Sequence, residues 1–254
     1  ALSWLAPSAA ALTVSNLNDA GAGSLRDAVA GTPAGGTVDF APALTGSIVL
    51  TGGEIGIAKS LTITGPGADR ITVSGNNASR IFNLTSGSAA VAISGLRLAG
   101  GATAGAGGAI ASIGALTLDA VWLQGNAAGD GGGGVYVGRP DVGAAGTAVI
   151  RNSTLSGNSV TGAGGAGGGA LLAVGAPGAA AAVTVQNSTI SGNSASASAG
   201  MGGGGVAFVG AGITLVSSTK AYNTAAAGGA NLHQGALAGS ALSLRNSIVS
   251  NGTL

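Results

Sequence analysis

A nine-residue pattern ending in asparagine recurs along the second half of the chain and constrains its folding more than any other feature. Its copies are Ile150-Arg-Asn-Ser-Thr-Leu-Ser-Gly-Asn158, Val185-Gln-Asn-Ser-Thr-Ile-Ser-Gly-Asn193 and the degenerate Leu215-Val-Ser-Ser-Thr-Lys-Ala-Tyr-Asn223. Leu118-Asp-Ala-Val-Trp-Leu-Gln-Gly-Asn126 precedes them and Leu244-Arg-Asn-Ser-Ile-Val-Ser-Asn-Gly252 follows. From Asn126 to Asn158, Asn193 and Asn223, successive spacings are 32, 35 and 30 residues. A second repeated element lies between the copies, a glycine run entering a short apolar segment, as in Gly107-Gly-Ala-Ile110, Gly133-Gly-Val135, Gly168-Gly-Ala-Leu171, Gly203-Gly-Gly-Val206 and Gly228-Gly-Ala-Asn231. A unit of this size with two or three short strands cannot bury its own apolar face, so it must stack on its neighbours.

The strands follow from period-2 alternation of apolar and polar residues. In the repeats they include Val135-Tyr-Val137, Ala148-Val-Ile150, Leu171-Leu-Ala-Val174 and Val183-Thr-Val185. Earlier, less regular ones fall at 37–40, 47–50, 61–63, 71–73, 81–84 and 91–93. No segment between strands has the length and 3.6 periodicity of a crossover helix, which argues against a doubly wound sheet. The remaining solution is all-β, a single-stranded right-handed parallel β-helix spanning 12–254, in which each coil rises by about 4.8 Å and equivalent residues stack.

In that arrangement Asn126, Asn158, Asn193 and Asn223 are expected to form an amide ladder along the axis and to supply the left-handed backbone of a tight turn. Lys220 occupies the repeat position held by Leu123, Leu155 and Ile190. An unpaired buried ammonium is costly, so a local register shift is expected there. Near 24–30, Ser24 and Asp27 have capping-box spacing, and Leu25, Ala28 and Val29 share one helical face. A short helix there would cover the open N-terminal mouth of the solenoid.

Composition narrows the function. Only 7% of residues are charged and 3% aromatic, against 46% hydrophobic and 51 glycines, with a net charge of +1. The core must therefore be thin layers of Val, Ile, Leu and Ala, and weakly repelling surfaces favour self-association. Without a basic cluster, nucleic acid is not an expected partner. With no cysteine there are no disulfides or thiolate sites. The stretch from Ala1 to about residue 11 is apolar and small-residue-rich, read as a signal-peptide remnant or an N-terminal extension. The last residues, Asn251-Gly-Thr-Leu254, end in mid-pattern, so either the chain continues beyond them or another molecule covers that end, and in the second case copies could stack end to end into a filament.

The run Leu12-Thr-Val-Ser-Asn-Leu-Asn-Asp-Ala-Gly-Ala-Gly-Ser-Leu-Arg-Asp-Ala-Val29 resembles the opening of bacterial right-handed parallel β-helix surface proteins. Leu61-Thr-Ile-Thr-Gly-Pro-Gly-Ala-Asp69 and the Asn-Ser-Thr-Leu-Ser-Gly-Asn158 repeats do so too, and the Gly-Gly-Ala-Ile110 and Leu-Gln-Gly-Asn126 elements are similar to the passenger repeats of polymorphic outer-membrane proteins, a group of autotransporter adhesins. The resemblance implies secretion, exposure at a bacterial cell surface, and adhesion or matrix building. The expected partners are other copies of the chain or surface and matrix molecules.

The chemistry-bearing residues point away from catalysis. Asp19, Asp27, Asp39, Glu54, Asp69, Asp119, Asp130 and Asp141 are the acidic residues, and none recurs at one position in adjacent repeats. No stacked carboxylate pair is expected at the separation of roughly 5 to 10 Å that glycoside hydrolysis uses. A polysaccharide-binding or polysaccharide-degrading β-helix is the alternative, and a groove lined by two or more carboxylates would favour it. His233, the single histidine, reads as a turn or surface residue rather than part of a Ser-His-Asp arrangement. Asp130 beside Gly131–Gly134 lacks the repetition of calcium-binding glycine repeats. The sequons at Asn77, Asn83, Asn152, Asn187 and Asn251 are read as turn composition, and threonines are spaced for an ice-binding array only at Thr62 and Thr64. No catalytic, metal or cofactor site is expected.

Overall fold

A computed structural model describes residues 11–196 and 202–250. The apolar segment before Ala11 and the Asn251–Leu254 terminus lie outside the described residues. Every strand pairs in parallel with the equivalent strand of the next coil, giving a parallel β-solenoid of about eight turns. Four sheets of nine, eight, seven and five strands run along it. The sequence supports two or three strands per coil, whereas the fold has up to four. The fourth sheet is built from two-residue strands such as Ala127–Ala128 and Ser159–Val160, too short to display a period.

Alternation fixes which residues face inward. In the nine-stranded sheet Val38, Ile63, Ile93, Leu118, Ile150, Val185 and Leu215 stack in register as one buried column. In the eight-stranded sheet Ile48, Val73, Leu98, Leu123, Leu155 and Ile190 form another. Each such side chain removed from water contributes roughly 1.5–3 kcal/mol, so the core is a sum of thin, equivalent layers.

Lys220 continues the second column. It pairs in register with Ile190 and Val249 and is fully buried. The expected register shift does not occur. Hydrogen bonds on both sides of it, Thr219 N–H to the Ser188 carbonyl (3.0 Å) and Ile248 N–H to the Ser218 carbonyl (2.9 Å), hold the strand in place. A slip would break these and turn every neighbouring side chain to the wrong face.

The helix Leu25–Gly31 lies against the first coil with Leu25, Ala28 and Val29 buried. Ser24 is its N-cap, its hydroxyl accepting from the Asp27 N–H at 3.2 Å. The Asp27 carboxylate accepts instead from the Gly21 N–H, 3.3 Å away, so the capping box is made by one side only. Asp19 clips the helix to the coil. It accepts from Arg26 Nη2 at 2.7 Å and from the N–H groups of Thr51 and Gly52. Burial would push its carboxyl up, but Arg26 and those two amides outweigh it and hold the group below the usual carboxylate range.

The left-handed turn positions differ from expectation. The two corners that flank the eight-stranded sheet carry positive φ in the later coils. One is occupied by Ala120, Asn152, Asn187, Ser217 and Asn246, the other by Gly125, Gly157, Gly192 and Tyr222. The ladder asparagines follow the second corner and are not themselves left-handed. Tyr222 is the exception in an otherwise glycine column, with φ 56° and 81% exposure. Left-handed backbone costs a non-glycine residue about 1 kcal/mol or more, and this ring buries little in return. Tyr222→Gly is therefore expected to raise stability by about 1 kcal/mol, read as a higher urea midpoint. An unchanged or lower midpoint would contradict the assignment of strain.

Candidate binding groove

The sequence-predicted ladder is a structural device inside the solenoid. Asn126 Nδ2 donates to Asn158 Oδ1 (2.8 Å), Asn158 Nδ2 to Asn193 Oδ1 (2.9 Å) and Asn193 Nδ2 to Asn223 Oδ1 (2.9 Å). Each Oδ1 also accepts the backbone N–H of the preceding rung, at 3.1, 2.8 and 2.9 Å. Second donations from Nδ2 reach the carbonyls of Leu98, Leu123, Leu155 and Ile190, and Asn223 extends the run to Asn231. All four rungs are fully buried. None presents a polar atom to solvent, so the ladder cannot bind a partner.

Two further ladders run beside it. Ser153, Ser188, Ser218 and Ser247 each accept a backbone N–H from the coil before, at 3.1 to 3.3 Å. On the surface, Asn187 Nδ2 donates to Asn152 Oδ1 (2.8 Å) and Asn152 Nδ2 to Asp119 Oδ1 (2.7 Å). This bond from Asn152, followed by the one from Arg151, holds the Asp119 carboxyl below its ordinary range. The serines recur one residue after the turn asparagine, a signal present in the sequence that the glycine-asparagine repeat overshadows.

A concave surface lies elsewhere, over the outer face of the seven-stranded sheet. A groove of about 400 Å³ opens there, lined by Arg80, Asn83, Asp130, Tyr136, Arg139 and Asp141 among others. Its floor is the column Asn83, Ala111, Tyr136, in register across three coils. Alanine at the middle position leaves the depression between two larger side chains. One wall comes from the turns carrying Ala106 and Asp130, the other from the loop after Val137, where a 3-10 turn at Pro140–Val142 carries Asp141. Arg139 and Asp141 are paired at 3.2 Å on this rim, both well exposed.

Arg80 is fixed at the base of the first wall. It donates from Nε to the Gly107 carbonyl (2.9 Å), from Nη2 to that of Ala106 (2.8 Å) and from Nη1 to Glu54 Oε2. Glu54 Oε1 accepts from Asn83 Nδ2 at 2.7 Å, so one carboxylate orients both side chains. Burial, followed by the charge of Asp141 and more weakly that of Asp130, pushes the Tyr136 hydroxyl up from its ordinary value, with Arg139 opposing. The tyrosine therefore senses carboxylates on both walls and stays protonated as a donor.

The acidic residues do not stack in a column, yet Asp130 and Asp141 reach one groove. They do so from opposite corners of a single coil, a route that repeat alignment cannot reveal. Among the described residues, no three His, Asp or Glu side chains cluster as a metal site, and no helix is long and apolar enough to cross a membrane. His233 lies in the strand Leu232–Gln234, not in a turn. Asn152 and Asn187 do occupy left-handed turns, as does Asn77, but Asn83 lies within the strand Phe82–Leu84.

No protein-family model and no curated protein matches the chain. Among solved structures, a Geobacillus virus E2 protein, ORF18, is similar at 12% identity with a TM-score of 0.36 over 92% of this chain. The chain spans 60% of that protein's length. A likeness of that degree carries no argument, and the solenoid stands on its own strand register.

Proposed function

We propose that this chain is an exported structural or adhesive module of a bacterial cell surface, related in kind to the passenger repeats of autotransporter adhesins. The observation that carries the reading is the contrast between interior and exterior. Two buried ladders and one exposed ladder tie the coils together, while the outer columns are uncharged for long stretches, as in Thr37, Thr62, Ala92, Thr117, Val149, Thr184, Thr214 and Ser243 on the nine-stranded sheet. Such a surface offers area and hydrogen-bonding groups to a partner with little charge repulsion between copies. Labelling intact host cells with an antibody to this chain tests the location. Signal without permeabilisation is expected, and signal only after permeabilisation would remove the proposal. Electron microscopy of the purified protein tests the self-assembling form, for which regular fibres are expected and dispersed rods would count against it.

A second reading, a polysaccharide-binding or polysaccharide-degrading protein, is favoured by one specific feature, the groove that carries Asp130 and Asp141. Incubation with a polysaccharide panel separates binding from degradation, since only a degrading protein releases reducing ends or unsaturated products.

A further inference from the structure

We propose that the groove over the seven-stranded sheet is a subsite for a neutral saccharide chain, with Tyr136 as its floor and Asn83, Asp130 and Asp141 as its hydroxyl partners. The proposal assigns a ligand class to the adhesive reading and rests on it.

The volume, about 400 Å³, falls within the range of small-molecule sites. Its floor strands cannot capture a peptide by strand addition. Phe82–Leu84, Ile110–Ser112 and Val135–Val137 each lie between two hydrogen-bonded neighbours and present no free edge. A ligand must therefore be held by side chains.

Several of those side chains are set in advance. Arg80 is tied to two carbonyls and Glu54, and the bond from Asn83 Nδ2 to Glu54 leaves the Asn83 Oδ1 to accept. Preorganised polar groups lose little freedom on binding. The Tyr136 ring, half-buried, offers an apolar face with a donor at its tip, the combination that suits the C–H face and hydroxyls of a sugar ring.

Charge selects within the saccharides. Glu54 pairs with Arg80 and Asp141 with Arg139, while Asp130 has no ion-pair partner among the described residues. The excess is negative, so a uronate or phosphate would be repelled. Sugar hydroxyls donate as well as accept and can serve carboxylates, amide oxygen and guanidinium alike.

Calorimetric titration of the full chain with neutral gluco-, manno- and galacto-hexasaccharides, a hexagalacturonate and a chitosan hexamer tests the assignment. A neutral hexamer is expected to bind saturably, with affinity falling about tenfold or more in Tyr136→Ala and in Asp130→Asn. Asp130→Asn is exposed and keeps the fold, which a melting curve verifies. Binding to none of the probes, tighter binding of the uronate or the amino sugar than of every neutral one, or neutral binding that survives Tyr136→Ala would overturn it. Cell adhesion without sugar binding would remove this assignment and leave the adhesive reading. Sugar binding by a chain retained inside the cell would do the reverse.

Discussion

Asn158→Ala is expected to lower the unfolding free energy by about 4 kcal/mol. The substitution removes a side chain that bonds two coils at once. The Asn126 N–H and one hydrogen of the Asn126 Nδ2 lose their acceptor in a fully buried site, and the Leu123 carbonyl and the Asn193 Oδ1 each lose one donor. Each orphaned buried group costs roughly 1–3 kcal/mol, because neither water nor a relaxed neighbour replaces the bond. Urea unfolding followed by far-ultraviolet circular dichroism gives the difference. Because stacked coils can lose cooperativity, the slope with denaturant must be compared as well as the midpoint. Asn187→Gly is the internal comparison, since glycine keeps the left-handed turn at φ 46°, the amide belongs to the exposed ladder, and its loss should cost less than about 1 kcal/mol. If both variants lose the same small amount, the buried amides are not what holds the coils.

Lys220→Met is expected to act in the opposite direction and raise stability by about 3 kcal/mol at neutral pH. The Lys220 Nζ is buried without a hydrogen-bond partner in the column otherwise built from Leu, Ile and Val. Burial brings its pKa down from 10.5 to about 8. In the unfolded chain the amine keeps its proton to near 10.5, whereas in the fold it releases it near 8. Below pH 8 both states are protonated and the full penalty of burying the charge applies. Between the two values the unfolded chain binds more protons, so stability climbs with pH, at about 1.4 kcal/mol per unit. Unfolding curves at pH 7 to about 9.5 should show that climb in the native chain and a flat line in Lys220→Met. Higher pH is avoided because Tyr136, with its raised pKa, contributes the opposite slope once tyrosines ionise. A flat profile in both proteins would mean that the amine is solvated.

These two side chains also measure how far the sequence could be read. The spacing of Asn126, Asn158, Asn193 and Asn223 was sufficient to place them in one column, since residues at one repeat position must stack in a solenoid. Their backbone role was not legible. Left-handed φ falls on the preceding Gly125, Gly157, Gly192 and Tyr222, and on Asn152 and Asn187 at the other corner. Asparagine serves either use, and composition does not tell them apart. Lys220 was legible as an anomaly, but its resolution was not. Local polarity favours a shift of register, while the neighbouring inter-coil bonds and the Ser188–Ser218 contact, all long-range, forbid it.

The repeat period, the inward columns and the helix opened by Ser24 were determined by the sequence itself. Alternation and capping act between residues close in the chain or at a fixed repeat position. The number of sheets, the serine ladder's bonds and the groove were decided only by the tertiary structure. Asp130 and Asp141 share no repeat position, and Arg80 reaches its partners at Glu54 and Gly107 from 26 and 27 residues away. Their convergence depends on where variable-length corners come to rest once the coils have stacked, and no local preference encodes that.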